Sequence, residues 1–437
     1  MEVRDPVHGL IQIYDVEIPI ITNDFFCRLR NIKQLGFSEF IFPGATHSRF
    51  LHSLGVMHVG SLAFDKLFPG NNKSKDLTRL RETFRLACLL HDIGHAPLSH
   101  SSEMAMPPVK DLKIPKEFFR GDQNQDRQAT HEDYTIKSIA DSSFSSAFKQ
   151  VEDKFGVDRK CVADLMTGFA RDPGYFTVEG INYFPILHQL VSSELDCDRM
   201  DYLLRDSYFC GVSYGTFDLD WLLDNIKKCI IDDTVYLGIT ERAVLTFEDF
   251  LLCRYHMFIM VYFHYRAVCL EQLLCKFFQT SKEEYVIPGN IEEYIEHDDH
   301  FLNKILRKSN NPYAKAIVKN QIPEKIFESY NGEQHKKLEI IEKYLKDQDI
   351  DFIKGSSEGR ISKYYDDGRE NYLFPMKVVR IISGRDEAEY SDINQATDLF
   401  NKFRKTHSIM RLHCDVPSLK AKEKSDLFDF IAHVNSK

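Results

Sequence analysis

Leu89-Leu90-His91-Asp92-Ile93-Gly94-His95 is the stretch whose reading decides the fold. It closes an amphipathic run that begins near Leu77 with helical apolar spacing, and Gly94 marks where that helix ends. The adjacent His91-Asp92 pair at the end of a buried helix offers one nitrogen and one carboxylate oxygen to a single point. Such a pair suits a divalent metal of borderline hardness. At the pair alone a second reading stays open, in which His91 favours the helix C-terminus and Asp92 caps a neighbour.

Three segments flank this one. Upstream, Thr46-His47-Ser48-Arg49-Phe50-Leu51-His52-Ser53-Leu54-Gly55 begins a second helix, which Phe50, Leu51, Leu54, Val56, Val59, Leu62 and Leu67 carry from Ser48 to Leu67. Next comes Ala129-Thr130-His131-Glu132, and then the acidic helix Ser193-Glu194-Leu195-Asp196-Cys197-Asp198-Arg199-Met200-Asp201-Tyr202-Leu203-Leu204-Arg205-Asp206. Taken singly, His52 reads as a satisfied, partly buried histidine and 194–206 as a solvated face.

Further out, residues 1–21 read as extended, with Pro6, Gly9 and Pro19 as punctuation. Phe25, Phe26, Leu29, Ile32 and Leu35 predict a helix from Asp24 to Leu35, capped by Gly36. Residues 101–130, with Pro107, Pro108, Pro115 and Gly121, predict a long surface excursion that could serve as a lid. Helices are expected from about Glu132 through 228, then a hairpin over Ile230–Tyr236 and one long buried central helix over Ala243–Phe278. After a charged helical stretch at 281–350, Met376–Ile382 and Ile409–Val416 read as strands around a helix at 391–405. The expected architecture is mostly α, with a helical core over 1–280 and a smaller α+β C-terminal lobe over 281–437.

Composition limits the function classes. The 437 residues are 43% hydrophobic and 28% charged, which excludes wholesale disorder. A net charge of −10 argues against a surface that coats nucleic acid and leaves room for a local basic pocket, so a nucleic-acid partner is open but unsupported. No apolar run approaches the roughly 18 residues of a membrane span. Ten scattered cysteines without a CxxC pair, behind an N-terminus lacking a signal-peptide core, read as cytoplasmic, with the nucleus as the alternative.

Together the motifs resemble the HD superfamily of metal-dependent phosphohydrolases, whose H…HD…D signature stands here as His52, His91-Asp92 and Asp198. The likeness is closer to the deoxynucleoside triphosphate triphosphohydrolase branch that includes the sterile-alpha-motif and HD-domain enzymes, here without the sterile-alpha-motif domain. Its pieces are Asp5-Pro6-Val7-His8-Gly9, Ile32-Lys33-Gln34-Leu35-Gly36, Phe42-Pro43-Gly44-Ala45-Thr46-His47-Ser48-Arg49-Phe50, and the segment His91–His100. They recur in that order, and the resemblance runs through about residue 330.

The resemblance implies an HD phosphohydrolase domain in which His52, His91, Asp92 and Asp198 ligate a divalent metal: Mn, Fe, Zn or Mg. It places acid–base work on His95, His100, Glu103 and His131. His100 with Glu103 would manage the water, and His131 would protonate the leaving group. The family usually has Asp at the Glu103 position. The resemblance puts Arg49 on the triphosphate, and Arg199, which stands where close relatives have Lys, with it; Gln34, Leu35, Tyr202, Asp206, Arg254 and Tyr262 are the other substrate candidates. A deoxynucleoside triphosphate substrate and a homo-oligomer follow as expectations. A nucleotide activator is left open, because Arg30 is kept while Arg4, Thr22 and Cys27 stand where other contacts are expected. The alternatives are an HD nucleotidase or phosphodiesterase acting on another phosphorylated substrate, and a catalytically silent nucleotide-binding regulator. Ile93-Gly94-His95 after the pair departs from the HDxxED pattern of guanosine tetraphosphate hydrolases.

Overall fold

Two antiparallel helices, Arg49–Leu67 and Lys75–Leu90, bury most of their length against each other, and a third, Cys197–Cys210, crosses the first. The computed structural model describes residues 1–118, 124–330, 333–359, 376–381, 388–397, 399 and 407–436. Ser74 caps the second helix through Leu77 N, and Asp196 caps the third through Arg199 N, so each starts at a side chain that satisfies a free backbone donor. Around them the helices His131–Ala140, Arg159–Thr167 and Phe184–Val191 complete a largely α core. The N-terminus is a hairpin of Glu2–Asp5 with Gly9–Gln12. The fold is mostly α, with a small sheet-containing C-terminal region, as the sequence predicts.

Several elements differ from their sequence reading, each for a local reason. The expected helix over Asp24–Leu35 is an α-turn at Asp24–Cys27 and a 3-10 turn at Arg28–Asn31. Beyond it the backbone extends, and Gln34 N donates to His47 O at 3.0 Å while Arg49 N donates to Ile32 O at 2.9 Å. Tertiary backbone pairing therefore overrides helical periodicity and lays Gln34 beside the start of the His52 helix. The 101–130 stretch is not wholly a surface excursion, because Val109, Leu112, Ile114 and Phe118 are buried in the core. Its residues 119–123 lie outside the described residues.

The expected single helix over Ala243–Phe278 is two helices. Val244–Met257 ends in a π-helical turn at Phe258–Tyr262, and His264, in extended conformation, caps Tyr265–Thr280. An apolar sequence carries no period that would reveal such a break. The hairpin is longer than expected: Ile226–Ile231 pairs with Thr234–Thr240 across an Asp232-Asp233 turn in which both residues have positive φ, at 48° and 55°. Helices do not fill 132–228 without interruption, since Thr177–Val178 and Ile181–Asn182 form short strands there.

Lys377–Ile381 joins this hairpin in parallel with Thr234–Thr240 and pairs on its other side with Ala388–Asp392. A separate antiparallel sheet places His407–Cys414 between Glu324–Tyr330 and Phe352–Gly359. The Glu324–Tyr330 strand falls in a segment read as helical; most of it is only half-buried, so its alternation is weak. Leu338, Ile341 and Leu345 meet Leu412, Leu427 and Ile431 in a second, smaller core. The expected helix at 391–405 is described only at Ile393–Ala396, and most of its remainder lies outside the described residues. Residues Tyr285 to Ile317 pack into the main core; there Tyr294 OH donates to Gly94 O at 2.9 Å, and Asp299 accepts from Leu98 N at 2.7 Å and Lys33 N at 3.0 Å.

The crossing of Arg49–Leu67 with Cys197–Cys210 depends on Gly55. A β-carbon there would stand 1.9 Å from Asp201 Oδ1 and 2.3 Å from Arg205 Nη2. Gly55→Ala is therefore expected to lower stability by about 3 kcal/mol, because neither the buried carboxylate nor its arginine can retreat without losing a partner. A denaturant titration checks this, and an unchanged midpoint would refute it.

Candidate active site

The four expected metal ligands come from three elements that the fold brings together. His52 sits one turn into Arg49–Leu67, His91 and Asp92 follow the end of Lys75–Leu90, and Asp198 lies in the first turn of Cys197–Cys210. His52 Nε2 is 2.9 Å from Asp198 Oδ1 and 3.5 Å from Asp92 Oδ2. His91 Nε2 is 3.4 Å from Asp92 Oδ1 and 3.5 Å from Asp198 Oδ1. The opposite ring nitrogens are already engaged: His52 Nδ1 donates to Asp201 Oδ2 at 2.7 Å, and His91 Nδ1 donates to Cys88 O at 2.8 Å.

Those bonds turn both Nε2 lone pairs toward the carboxylates, and neither Nε2 has a well-formed hydrogen bond although both are buried. Two lone pairs facing two carboxylates require positive charge between them. The imidazoles show the same demand. Burial lowers the pKa of His52, yet Asp198 and Asp201 more than offset it and raise it to about 9. For His91, burial is likewise outweighed, by Asp92 and Asp198, again to about 9. Asp92 is held well below the usual carboxylate range: its burial is outweighed by Arg49, His91 and His95. A divalent cation answers this donor set, and its identity is not fixed by nitrogen and oxygen ligands alone.

A second cluster lies beside the first. The rings of His95 and His131 stack at 4.0 Å between centroids, and His100 stands edge-on to both. Glu103 Oε1 accepts from His131 Nδ1 at 2.5 Å and from His100 Nδ1 at 3.1 Å, so one carboxylate orients two imidazoles and the extra methylene still reaches. Those two bonds outweigh burial and hold the Glu103 carboxyl below its ordinary range. Burial, with Arg49 and His131, pushes His95 well down, which keeps it neutral. Gly94 makes the approach feasible, because a β-carbon there would meet His131 O at 2.1 Å.

One cavity of about 530 Å³ joins these groups, within the range usual for small-ligand sites. His91, Asp92, Asp198, His95, His100, His131 and Arg49 line it, together with Gln34, Leu35, Tyr202, Asp206 and Tyr262. Arg49 binds Asp92 and donates through Nε to Ser99 Oγ at 2.9 Å. Ser99 and Leu98 both have positive φ, a backbone arrangement retained where it positions a side chain. Arg199 and Arg254 do not line the cavity themselves but stand behind its Tyr202 and Phe258 wall, Arg254 over the Phe258 ring at 5.3 Å, and both are held by the buried Glu194, Arg254 Nη1 at 2.9 Å and Arg199 Nη1 at 3.4 Å.

Sequence reasoning missed Asp201 and the donors around it, and it missed that Asp206 is paired with Tyr262 and His47. Asp201 takes His52, His8 Nε2 at 2.6 Å and Arg205, and Arg205 reaches Asp5 at 2.8 Å. Asp206 accepts from Tyr262 OH at 2.8 Å and from His47 Nε2 at 2.7 Å. Each of these residues except Tyr262 lies inside a quoted motif, and the signal available was a second carboxylate or histidine within one or two turns of an expected ligand.

Residues 49–153 match the HD domain, and this chain carries that domain. The protein named YwfO of Bacillus subtilis is 34% identical over 64% of this chain and 55% of its own length. The Dictyostelium discoideum protein named deoxynucleoside triphosphate triphosphohydrolase SAMHD1 homolog is 28% identical over 73% of this chain and 57% of its own. The chain thus spans little more than half of each of these two relatives. A crystal structure of a hypothetical protein from Aquifex aeolicus superposes with a TM-score of 0.72 at 25% identity, covering 98% of this chain and 99% of that one. The HD domain and the histidine–aspartate centre together support a metal-dependent phosphohydrolase. Among the described residues no helix is long and apolar enough to cross a membrane.

Because Asp201 fixes the His52 ring, Asp201→Asn is expected to lower divalent-metal affinity by about 10- to 100-fold. Calorimetric titration with Mn²⁺ checks this, and wild-type affinity in the variant would show that Asp201 is structural only.

Proposed function

We propose that this HD-domain chain hydrolyses deoxynucleoside triphosphates to deoxynucleoside and inorganic triphosphate. The observation that carries the reading is that one cavity is lined by His91, Asp92 and Asp198, by the imidazoles of His95, His100 and His131, and by the sugar-contact candidates Gln34, Leu35, Tyr202, Asp206 and Tyr262. A cation held by His52, His91, Asp92 and Asp198 supplies Lewis acidity toward a phosphate oxygen. Arg49, fixed between Asp92 and Ser99, presents positive charge to the triphosphate. His100, hydrogen-bonded to Glu103, takes the proton of the water that attacks the α-phosphorus. His131, oriented by the same carboxylate, gives a proton to the 5′-oxygen as the phosphorus–oxygen bond breaks. Arg199 and Arg254 would meet the outer phosphates with donors that Glu194 does not engage.

Deoxyribose selection follows from the Tyr262 hydroxyl being held on Asp206, which His47 fixes in turn. A ring pinned in this way cannot swing aside to admit a 2′-hydroxyl. The same reading includes a homo-oligomer in which the 281–437 segment contributes contacts.

Chromatography of a dNTP digest should show deoxynucleoside and intact triphosphate, with and without a second nucleotide to establish whether an activator is needed. Deoxynucleoside monophosphate with orthophosphate would reject the triphosphohydrolase reading while leaving a phosphohydrolase. His91→Ala should abolish turnover, and full activity of that variant in chelator-treated buffer would end the metal reading. Light scattering should give a mass above one 50.9 kDa chain, and a monomer under all substrate conditions would reject assembly.

A further inference from the structure

One carboxylate in the cavity wall has no part in the reaction described above. Glu271 lies on the Tyr265–Thr280 helix within Val268-Cys269-Leu270-Glu271-Gln272-Leu273-Leu274, a lone acid in a mostly apolar run. Its side chain lines the same cavity as Gln34, Leu35 and Tyr262, along with Gly36, Ser38 and Ser101. That wall is built where the helix packs against the 3-10 segments Gly36–Phe40 and Ser99–Ala105.

Burial pushes the Glu271 carboxyl up to about 7, and the Ser101 hydroxyl pulls the other way. Ser101 is the hydrogen-bonding group that acts on it, the Cys275 thiol lies nearby, and among the described residues no arginine or lysine forms an ion pair with Glu271. A carboxylate has about four acceptor positions, so most of this one's are left for a ligand that brings N–H or O–H donors. With the phosphates at the histidine–aspartate centre and the sugar between Leu35 and Tyr262, the part of a nucleotide left to reach Glu271 is the base. Guanine presents two adjacent donors, N1–H and the 2-amino group, which match the two oxygens of one carboxylate. Thymine presents a single N–H between two carbonyl oxygens, and those oxygens would face the carboxylate unfavourably.

We infer that Glu271 is a specificity-determining residue that reads the base, accepting the N1–H and 2-amino hydrogens of guanine so that guanine deoxynucleotides bind in preference to thymine ones. This inference rests on the deoxynucleoside triphosphate reading above.

Calorimetry with the full chain, Mn²⁺ and α,β-imido deoxynucleoside triphosphates tests it without requiring turnover. Wild type should bind the guanine analogue about tenfold or more tightly than the thymine analogue, and the hypoxanthine analogue, which lacks the 2-amino group, about tenfold more weakly than guanine. Glu271→Gln should lose most of both differences and keep its affinity for the thymine analogue. Equal wild-type affinity for guanine and hypoxanthine overturns the inference whatever the variant does, as does a guanine preference that survives Glu271→Gln, or no binding of any analogue. Hydrolysis assayed alongside separates the two readings. Turnover without base preference removes the Glu271 role alone. A Glu271-dependent guanine preference in a chain that releases no triphosphate upholds it and removes the reaction.

Discussion

Asp201 is the charge around which the site is assembled. It is fully buried, and each of its oxygens is used twice: Oδ2 by His52 and Arg205, Oδ1 by His8 and Arg205. An interior carboxylate is tolerable only when its acceptors are filled, and here the donors come from the N-terminal hairpin, the Arg49–Leu67 helix and its own helix. Arg205 extends the network to Asp5, so the chain's first strand is tied to the element that carries Asp198. The bare backbone of Gly55 opens the space in which this happens. One pairing therefore does three things: it closes the hairpin onto the core, sets the crossing of two helices, and turns the His52 Nε2 lone pair toward Asp198 and Asp92.

The acid–base cluster depends on the same economy of carboxylates. Glu103 serves both His100 and His131, while Asp92 serves Arg49 and His95 as well as facing the metal-type centre. Arg49 and His95 are thus pinned to the residue they flank, and the two clusters cannot move independently. Tyr294, Asp299 and Arg28 brace the loop from Ile93 to Leu98 from outside, Arg28 by donating to Ile93 O at 2.9 Å and His95 O at 2.8 Å. Residues far along the chain hold the loop that follows the His-Asp pair, although none of them carries a motif.

What was legible in the sequence was what repeats or stands in fixed order. Helical periodicity located the Arg49–Leu67 and Lys75–Leu90 helices within a residue or two, and the His52, His91-Asp92, Asp198 order named four side chains that the fold brings together. Paired interior groups were not legible. Asp201 sits in an acidic helix that reads as solvated, because a sequence does not say which acids have found donors. Glu271 hides in the opposite setting, an apolar helix where a single acid looks incidental. The strand Glu324–Tyr330 was lost because its pairing with His407–Cys414 is long-range and its faces are only weakly contrasted.

The break between Val244–Met257 and Tyr265–Thr280 shows why local reading fails where the site needs it most. A continuous helix would have carried Tyr262 at ordinary α-spacing from Arg254. The π-helical turn at Phe258–Tyr262 widens the helix there, a deviation frequent at functional sites. It brings the Tyr262 hydroxyl onto Asp206, whose other oxygen is taken by His47, and leaves Arg254 on Glu194. Beyond His264 the next helix starts along a new course that carries Glu271 into the cavity wall. On the proposed reading, the sugar is read by the last residue of the irregular turn and the base by a residue on the helix that follows it, so the departure from helical geometry that the sequence does not reveal is what lets a single chain segment contact both ends of a nucleoside.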